Sequence, residues 1–338
     1  MKDEKKSLLI VGAGGFTGGF IADEALCRGY DVWAGVREGT SRRYLTDPKL
    51  HFAVFDYDSA EELRESVAAS LPGSGRWDYV VYNLGATKCL NFADFNRINH
   101  DYLVWFTDAL KALGAVPEKL LFISSLSVMG AGDEKGYTPF TENMIPSPDT
   151  RYGTSKLKAE IALQSSGIPY IIFRATGIYG PRERDYFLMF KSIKRCFDFS
   201  VGMRRQELTF IYVEDLARAI LDALERSATS KLYLVSEPRS YSQREFRTIV
   251  AKELGKSFVI PVKAPLWFLK LVCAVSGRIG TLKGRPATLN PDKYRIMRQR
   301  NWKVDTTAAR EGFGFEASTD LRDGVAKAIK WYRENKWL

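Results

Sequence analysis

A chain of 338 residues is too long for one minimal domain and short for three, so one large α/β domain with a smaller appendage is the expected organisation. Hydrophobic residues at 45% and charged residues at 27% lie close to globular averages and exclude a disordered, fibrous or disulfide-scaffold protein. The net charge of +10 would suit nucleic acid, anionic lipid or an anionic substrate, but the basic residues cluster only mildly, at 37–43, 182–205 and 295–303. None of these is the block of roughly five or six like charges expected of a nucleic-acid tail, so a solvated basic surface is the simpler reading.

Cys27, Cys89, Cys196 and Cys273 lie far apart with no CxxC pair, and the chain has only two histidines. Neither a disulfide framework nor a metal site is expected. The start, Met1 to Lys6 followed by Ser7 to Val11, superficially mimics a signal peptide. Two acids interrupt its basic stretch, and Gly12 cuts the apolar run below the roughly seven residues such a core needs. No segment reaches the roughly eighteen apolar residues of a membrane span. The closest, 264–275, carries Lys270. A cytoplasmic protein with no membrane partner is the expectation.

Along the first half, short apolar runs at 8–11, 31–36, 51–55, 79–83, 119–124 and 170–174 read as strands. Helical periodicity fills the intervals 18–28, 60–70, 99–113 and 155–165. Strand and helix alternating at this spacing predict a doubly wound parallel sheet covered on both faces. Beyond Gly180-Pro181 the alternation decays. The charged, aromatic stretch 183–205 and a tail with Pro261, Pro265, Pro286 and Pro291, ending in an amphipathic segment at 321–331, predict a smaller interleaved domain. Ligands of such sheets sit outside the carboxyl ends of the strands, so this domain is expected to close over that edge and supply substrate contacts.

Three features carry chemistry. Gly12-Ala13-Gly14-Gly15-Phe16-Thr17-Gly18 follows the first strand and opens the first helix. There a diphosphate meets free backbone N–H groups and the positive end of a helix dipole, and only glycine lets the backbone come so close. The second strand ends Gly35-Val36-Arg37, and an arginine at that position favours the 2′-phosphate of NADP over NAD, although Glu38 could still bond a ribose hydroxyl. Asp56, beside Tyr57 at the end of the third strand, is a candidate for the adenine edge and equally a helix-start signal. Leu84 and Gly85 end the fourth strand with room for a ribose or nicotinamide. Asn99 reads as an N-cap, with a hydrogen bond toward the active-site strand as the alternative.

The third feature is Ser125 at a strand end together with Tyr152-Gly153-Thr154-Ser155-Lys156. Tyrosine and lysine at i and i+4 share a helix face, so the ammonium can approach the phenol. A neighbouring cation brings a phenol of pKa near 10 toward the working range of an acid/base, and Ser125 would orient the reacting oxygen.

These residues resemble the extended short-chain dehydrogenase/reductases, often labelled NAD-dependent epimerase/dehydratases. The resemblance runs over nearly the whole chain, through the glycine turn, Phe122 to Gly130, Thr141-Glu142, Tyr152 to Lys156, Arg174 to Pro181 and Phe210 to Ala217. It implies a Rossmann domain at 1–180 to which 208–236 returns, with 181–207 and 237–338 as the substrate domain. It also implies Tyr152 as catalytic acid/base, Lys156 on the nicotinamide ribose, Ser125 as the catalytic serine, and Thr176 to Ile178 near the nicotinamide. A homodimer through 99–113 and the Tyr152 helix is the family's habit.

Departures narrow the reading. Dehydratases of this family carry an acid where this chain has Leu126-Ser127, so dehydration is not expected, and Ser127 becomes a substrate contact at most. The segment 202–209 matches the epimerases' glycine-rich segment only loosely, leaving Arg204 and Arg205 as candidate diphosphate clamps or plain loop residues. The strand end at Arg37 and the tail, including 265–269, 301–305 and 331–338, resemble the dihydroflavonol-reductase and 3β-hydroxysteroid-dehydrogenase-like branches, which act on bulky alcohols and ketones. There the stripe 266–275 would line an apolar pocket, or more simply pack on the core. The expected function is an NAD(P)-dependent oxidoreductase interconverting an alcohol and a ketone. The alternatives are a nucleotide-sugar epimerase with tightly bound NAD and a non-catalytic NAD(P)- or RNA-binding protein.

Overall fold

The structure, a computed structural model, describes residues 5–285, 287 and 289–338. Met1 to Glu4 of the signal-like start and Pro286 of the tail lie outside the described residues. Strand β1 (Ser7–Val11) is followed by α1 (Phe16–Cys27), β2 (Asp31–Val36), β3 (His51–Val54), α2 (Ala60–Ser70) and β4 (Tyr79–Tyr82). Next come α3 (Phe92–Asn96), a π-helical segment (Arg97–Asp101), α4 (Tyr102–Ala112), β5 (Lys119–Ser125) and α5 (Arg151–Ser165). The chain continues through β6 (Tyr170–Ala175), β7 (Gly177–Tyr179), α6 (Asp185–Lys194), β8 (Phe197–Val201), β9 (Glu207–Leu208), β10 (Phe210–Tyr212), α7 (Val213–Arg226) and β11 (Lys231–Val235). It closes with β12 (Tyr241–Ser242), α8 (Gln243–Glu253), β13 (Ile260–Ala264), α9 (Leu266–Leu282), α10 (Pro291–Arg298), α11 (Thr307–Phe313) and α12 (Leu321–Glu334).

Seven strands form one parallel sheet in the order β3-β2-β1-β4-β5-β6-β11. In β1, Leu8 and Ile10 enter a core with residues of α1, α7 and α11, while Leu9 and Val11 enter another with α2, α4 and α5. Burial on both faces is why these strands read as unbroken apolar runs. The order reverses between β1 and β4, and a doubly wound sheet opens its ligand crevice at such a point. A third, aromatic-rich core joins β10 and helices α6, α8 and α12 around Phe190, Phe246 and Tyr332. Helix α9 rests on a small cluster of Val201, Leu269 and Cys273.

Two helix starts differ most from the sequence expectation. Helix α5 begins at Arg151 rather than Ser155, because the Thr150 side chain accepts from the Gly153 N–H and caps it. The helix expected from Asn99 begins at Phe92, capped by Asn91, and passes through the π-helical segment without a break. Asn99 is therefore not an N-cap.

Candidate active site

At the carboxyl end of β1 the chain turns at Gly12, whose φ of 85° is the left-handed conformation that a side chain resists. The Gly12 and Ala13 N–H groups donate to the Gly35 carbonyl (3.0 and 3.1 Å), tying the turn to β2. A Cβ on Gly18 would lie 2.5 Å from the Gly12 oxygen, so α1 packs directly on the turn. No side chain caps α1 at Gly15, and a Cβ there would meet nothing nearer than 3.4 Å. First-turn N–H groups without intrahelical partners, facing a backbone stripped of side chains, fit the diphosphate of a dinucleotide. Gly18→Ala is expected to lower stability by about 1–3 kcal/mol and to weaken dinucleotide binding, read by thermal melts with and without NADH and NADPH.

Beyond the turn, Arg37 is exposed at the end of β2, with its N–H donating to Thr40 Oγ1 (3.1 Å). Asp56 accepts from the Asp58 N–H (2.9 Å), while Ser59 and not Asp56 caps α2. Tyr57 is buried against the Tyr102 ring, 4.6 Å between centroids, and its hydroxyl has no partner among the described residues. Leu84 crosses under the turn, its nitrogen 3.0 Å from where a Gly12 Cβ would stand. A Cβ on Gly85 would lie 3.3 Å from Lys156 Nζ, so the end of β4 lies against the lysine.

Tyr152 and Lys156 occupy the first turns of α5, facing the end of β5. The Lys156 ammonium donates to the Ile123 carbonyl (2.7 Å) and sits 4.3 Å from the Phe122 ring centroid. Burial brings its pKa down to about 7, partly opposed by the Glu160 carboxylate. The half-buried Tyr152 phenol is pushed up to about 12 by burial, and a hydrogen bond with Ser125 pulls the other way. Without dinucleotide, the expected lysine-stabilised phenolate is therefore not favoured, since burial disfavours the charged form of both groups. Ser125 Oγ donates to Ser127 Oγ and accepts the Ser127 N–H, both at 3.2 Å.

Asn99 fixes this geometry. It accepts from the Ala86 N–H (2.7 Å), donates to the Ala86 carbonyl (3.1 Å) and donates to Ser155 Oγ (2.9 Å), which in turn donates to the Tyr152 carbonyl (2.8 Å). The end of β4 is thereby locked to the turn that carries the tyrosine, from a π-helical position of the kind often found at functional sites. Behind α5, the buried Glu160 carboxylate pairs with Arg174 (2.7 Å) and accepts from Ser124. Thr176 is buried with its N–H on the Val235 carbonyl (3.2 Å) and its hydroxyl unpartnered among the described residues. Ile178 lies in β7, paired with Ile211.

A cavity of about 500 Å³ opens beside Phe95 and the start of α5, and none of Ser125, Tyr152 and Lys156 is among its lining residues. Phe95, whose ring centroid is 6.4 Å from that of Tyr152, lines it together with Arg151, Arg278, Arg285, Asp292 and the α9 residues Ala274 and Gly277. Neither Arg204 nor Arg205 is among its lining residues. Both are exposed, and Arg205 pairs with Glu207 at 2.5 Å. The three lining arginines were not singled out from sequence, because 151 and 278–285 meet only in three dimensions. The stripe 266–275 gives Ala274 to the cavity wall and does not pack wholly on the core: in α9 only Leu269, Cys273 and Gly280 are buried.

A parallel sheet with a glycine cradle at its switch point and a tyrosine, lysine and serine beside it defines a dinucleotide-dependent enzyme. Residues 8–236 match the NAD dependent epimerase/dehydratase family, and the chain belongs to it. Among relatives, an uncharacterised UDP-glucose epimerase of Bacillus subtilis is 25% identical over 96% of this chain and 97% of its own. A decarboxylating sterol-4-alpha-carboxylate 3-dehydrogenase of Dictyostelium discoideum is 21% identical over 95% of this chain and 99% of its own. The Bordetella bronchiseptica enzyme WbmG, solved in complex with NAD, shares the fold with a TM-score of 0.76 at 20% identity, covering 98% of this chain and 96% of that one.

Proposed function

We propose that the protein is an NAD(P)-dependent oxidoreductase that interconverts a secondary alcohol and a ketone. The observation that carries this reading is the placement of Tyr152 on the first turn of α5, whose Lys156 ammonium reaches the Ile123 carbonyl at 2.7 Å near the carboxyl end of β5, the strand that ends in Ser125, beside the glycine cradle. The nicotinamide supplies hydride exchange at the carbon that bears the oxygen. Tyr152 Oη passes the proton to or from that oxygen. Ser125 orients the oxygen, with Ser127 holding Ser125. Lys156 has the reach to leave the Ile123 carbonyl for a ribose hydroxyl, and in its charged form it would favour the phenolate. Residues 1–180 with 208–236 would hold the dinucleotide, and 181–207 with 237–338 would hold the substrate.

Incubation with NADPH or NADH and a panel of ketones tests the reading directly: oxidation of the cofactor supports it. Arg37 is the basis for placing NADP ahead of NAD. Arg37→Ala is expected to weaken NADPH binding roughly tenfold or more, the scale of one charge-assisted contact, with little change for NADH. Equal effects on both would remove the preference.

A nucleotide-sugar epimerase is the second reading, favoured by the name of the Bacillus relative and by Arg151, Arg278 and Arg285 around the cavity, which suit a diphosphate. Bound NAD that does not exchange, together with epimerisation of a UDP-sugar, would put it first. A homodimer would form through 99–113 and the Tyr152 helix, a reading supported by the exposed Ile161 on α5 and the half-buried Trp105 on α4.

A further inference from the structure

Helix α9 presents an apolar face to solvent. At roughly 100° per residue, Trp267, Leu271, Leu282, Val275, Phe268 and Ile279 fall within an arc of about 120°. All six are exposed, Trp267 at 70%, Leu271 at 56% and Leu282 at 86%. The opposite side carries the buried Leu269, Cys273 and Gly280. The apolar surface continues onto β13, which runs into α9 through Pro265, and onto its partner β8. Ile260 is paired with Phe197 there, and Phe197, Phe199 and Ile260 are exposed. A soluble helix turns such a stripe toward the core. Here the helix covers a small cluster with its narrow side and leaves the wide side uncovered.

Charge selects what covers it. Residues 256–285 contain Lys256, Lys263, Lys270, Arg278, Lys283 and Arg285 and no aspartate or glutamate. Of these, all but Lys256 are exposed. Aromatic and aliphatic side chains on one face of a helix, with Lys270 and Lys283 at its borders, Arg278 within it and no acid, are complementary to an anionic bilayer surface, where apolar groups sink to the acyl boundary and cations meet phosphate. No helix among the described residues is long and apolar enough to cross a membrane, but a helix lying in the plane of the interface needs no such length.

We infer that the protein docks peripherally on anionic phospholipid membranes through the outer face of α9 and the adjoining β8–β13 ribbon. This goes beyond the proposed reaction and does not rest on it. It departs from the expectation that no membrane is a partner, which rested on span length and on the mild clustering of the basic residues. Docking sets the bilayer against the same helix whose Ala274, Gly277, Arg278 and Leu282 wall the cavity beside Phe95.

Flotation of the full chain with vesicles tests it without any turnover measurement. The wild type is expected to float with phosphatidylcholine–phosphatidylglycerol vesicles, far less with phosphatidylcholine alone, and less as salt rises. Trp267→Glu with Leu271→Glu is expected to lower vesicle partitioning at least about tenfold. Lys270→Glu with Lys283→Glu is expected to lower it by a similar factor on the anionic vesicles only. All four positions are exposed and none lines the cavity. Both variants should therefore keep the wild-type melting temperature and vesicle-free activity. The proposal is overturned if the wild type floats with neither vesicle, if it floats equally with both at all salt concentrations, or if Trp267→Glu with Leu271→Glu floats like the wild type. It is also overturned if the protein ignores vesicles and is a dimer that this variant dissociates, because a second copy then covers the face.

Discussion

Replacing Tyr152 with phenylalanine is expected to abolish turnover while cofactor affinity stays close to the wild-type value. The ring that packs toward Phe95 is retained and only the hydroxyl is lost. Positioned proton transfer contributes roughly 10²- to 10⁴-fold, so kcat should fall by at least that range. Steady-state kinetics give the loss in kcat, and quenching of protein fluorescence by NADPH or NADH gives the dissociation constant. Retained activity would show that the proton moves through another group. Direction matters as well. Reduction of a ketone uses the neutral phenol that burial favours, with its pKa near 12, whereas oxidation of an alcohol needs the phenolate. Oxidation should therefore rise steeply with pH on the alkaline side, and reduction should not.

The sheet was legible in the sequence because its two faces are covered, which turns each strand into a short apolar run bounded by glycine, proline or an acid. Strand β2 and helix α2 appear with the expected bounds at 31–36 and 60–70. The glycine turn was legible for a local reason too: Gly12 needs a positive φ and Gly18 has backbone where a Cβ would go. What the sequence could not convey depends on contacts between distant segments. Asn99 looked like a cap because asparagine favours helix starts, yet its amide is spent on Ala86 and on Ser155, 56 positions away. Arg204 and Arg205 stood as candidate clamps or plain loop residues by motif position, and the arginines that line the cavity come from the start of α5 and from the end of α9 and beyond. The α9 stripe has the same periodicity whether it faces a core, a pocket or solvent. Periodicity reports that a helix has an apolar face and says nothing of what meets that face.

Lys156→Met is expected to remove activity and, in the absence of cofactor, to stabilise the protein at neutral and acidic pH. The ammonium is held at about 7 in the folded protein against an ordinary value of 10.5. Between those limits the unfolded chain binds more protons than the native one, so wild-type stability rises with pH from about 7 to about 10.5 and carries the full cost of the buried charge below about 7. Methionine keeps the length of the side chain and abolishes the titration. It also leaves the Ile123 carbonyl without its donor, a loss of about 1–3 kcal/mol. That loss does not vary with pH and drops out when the variant is compared with the wild type at two pH values. The melting temperature of the variant should therefore gain on that of the wild type by a few degrees more at about pH 6 than at about pH 10, the shift expected for roughly one to a few kcal/mol in a chain of this size. A difference that stays constant between the two would mean that Lys156 is not charged at a cost in the folded state. In the wild type, binding the dinucleotide should shrink the same pH dependence, because a ribose hydroxyl taken by Lys156 offers the charged form a partner in place of a desolvated site.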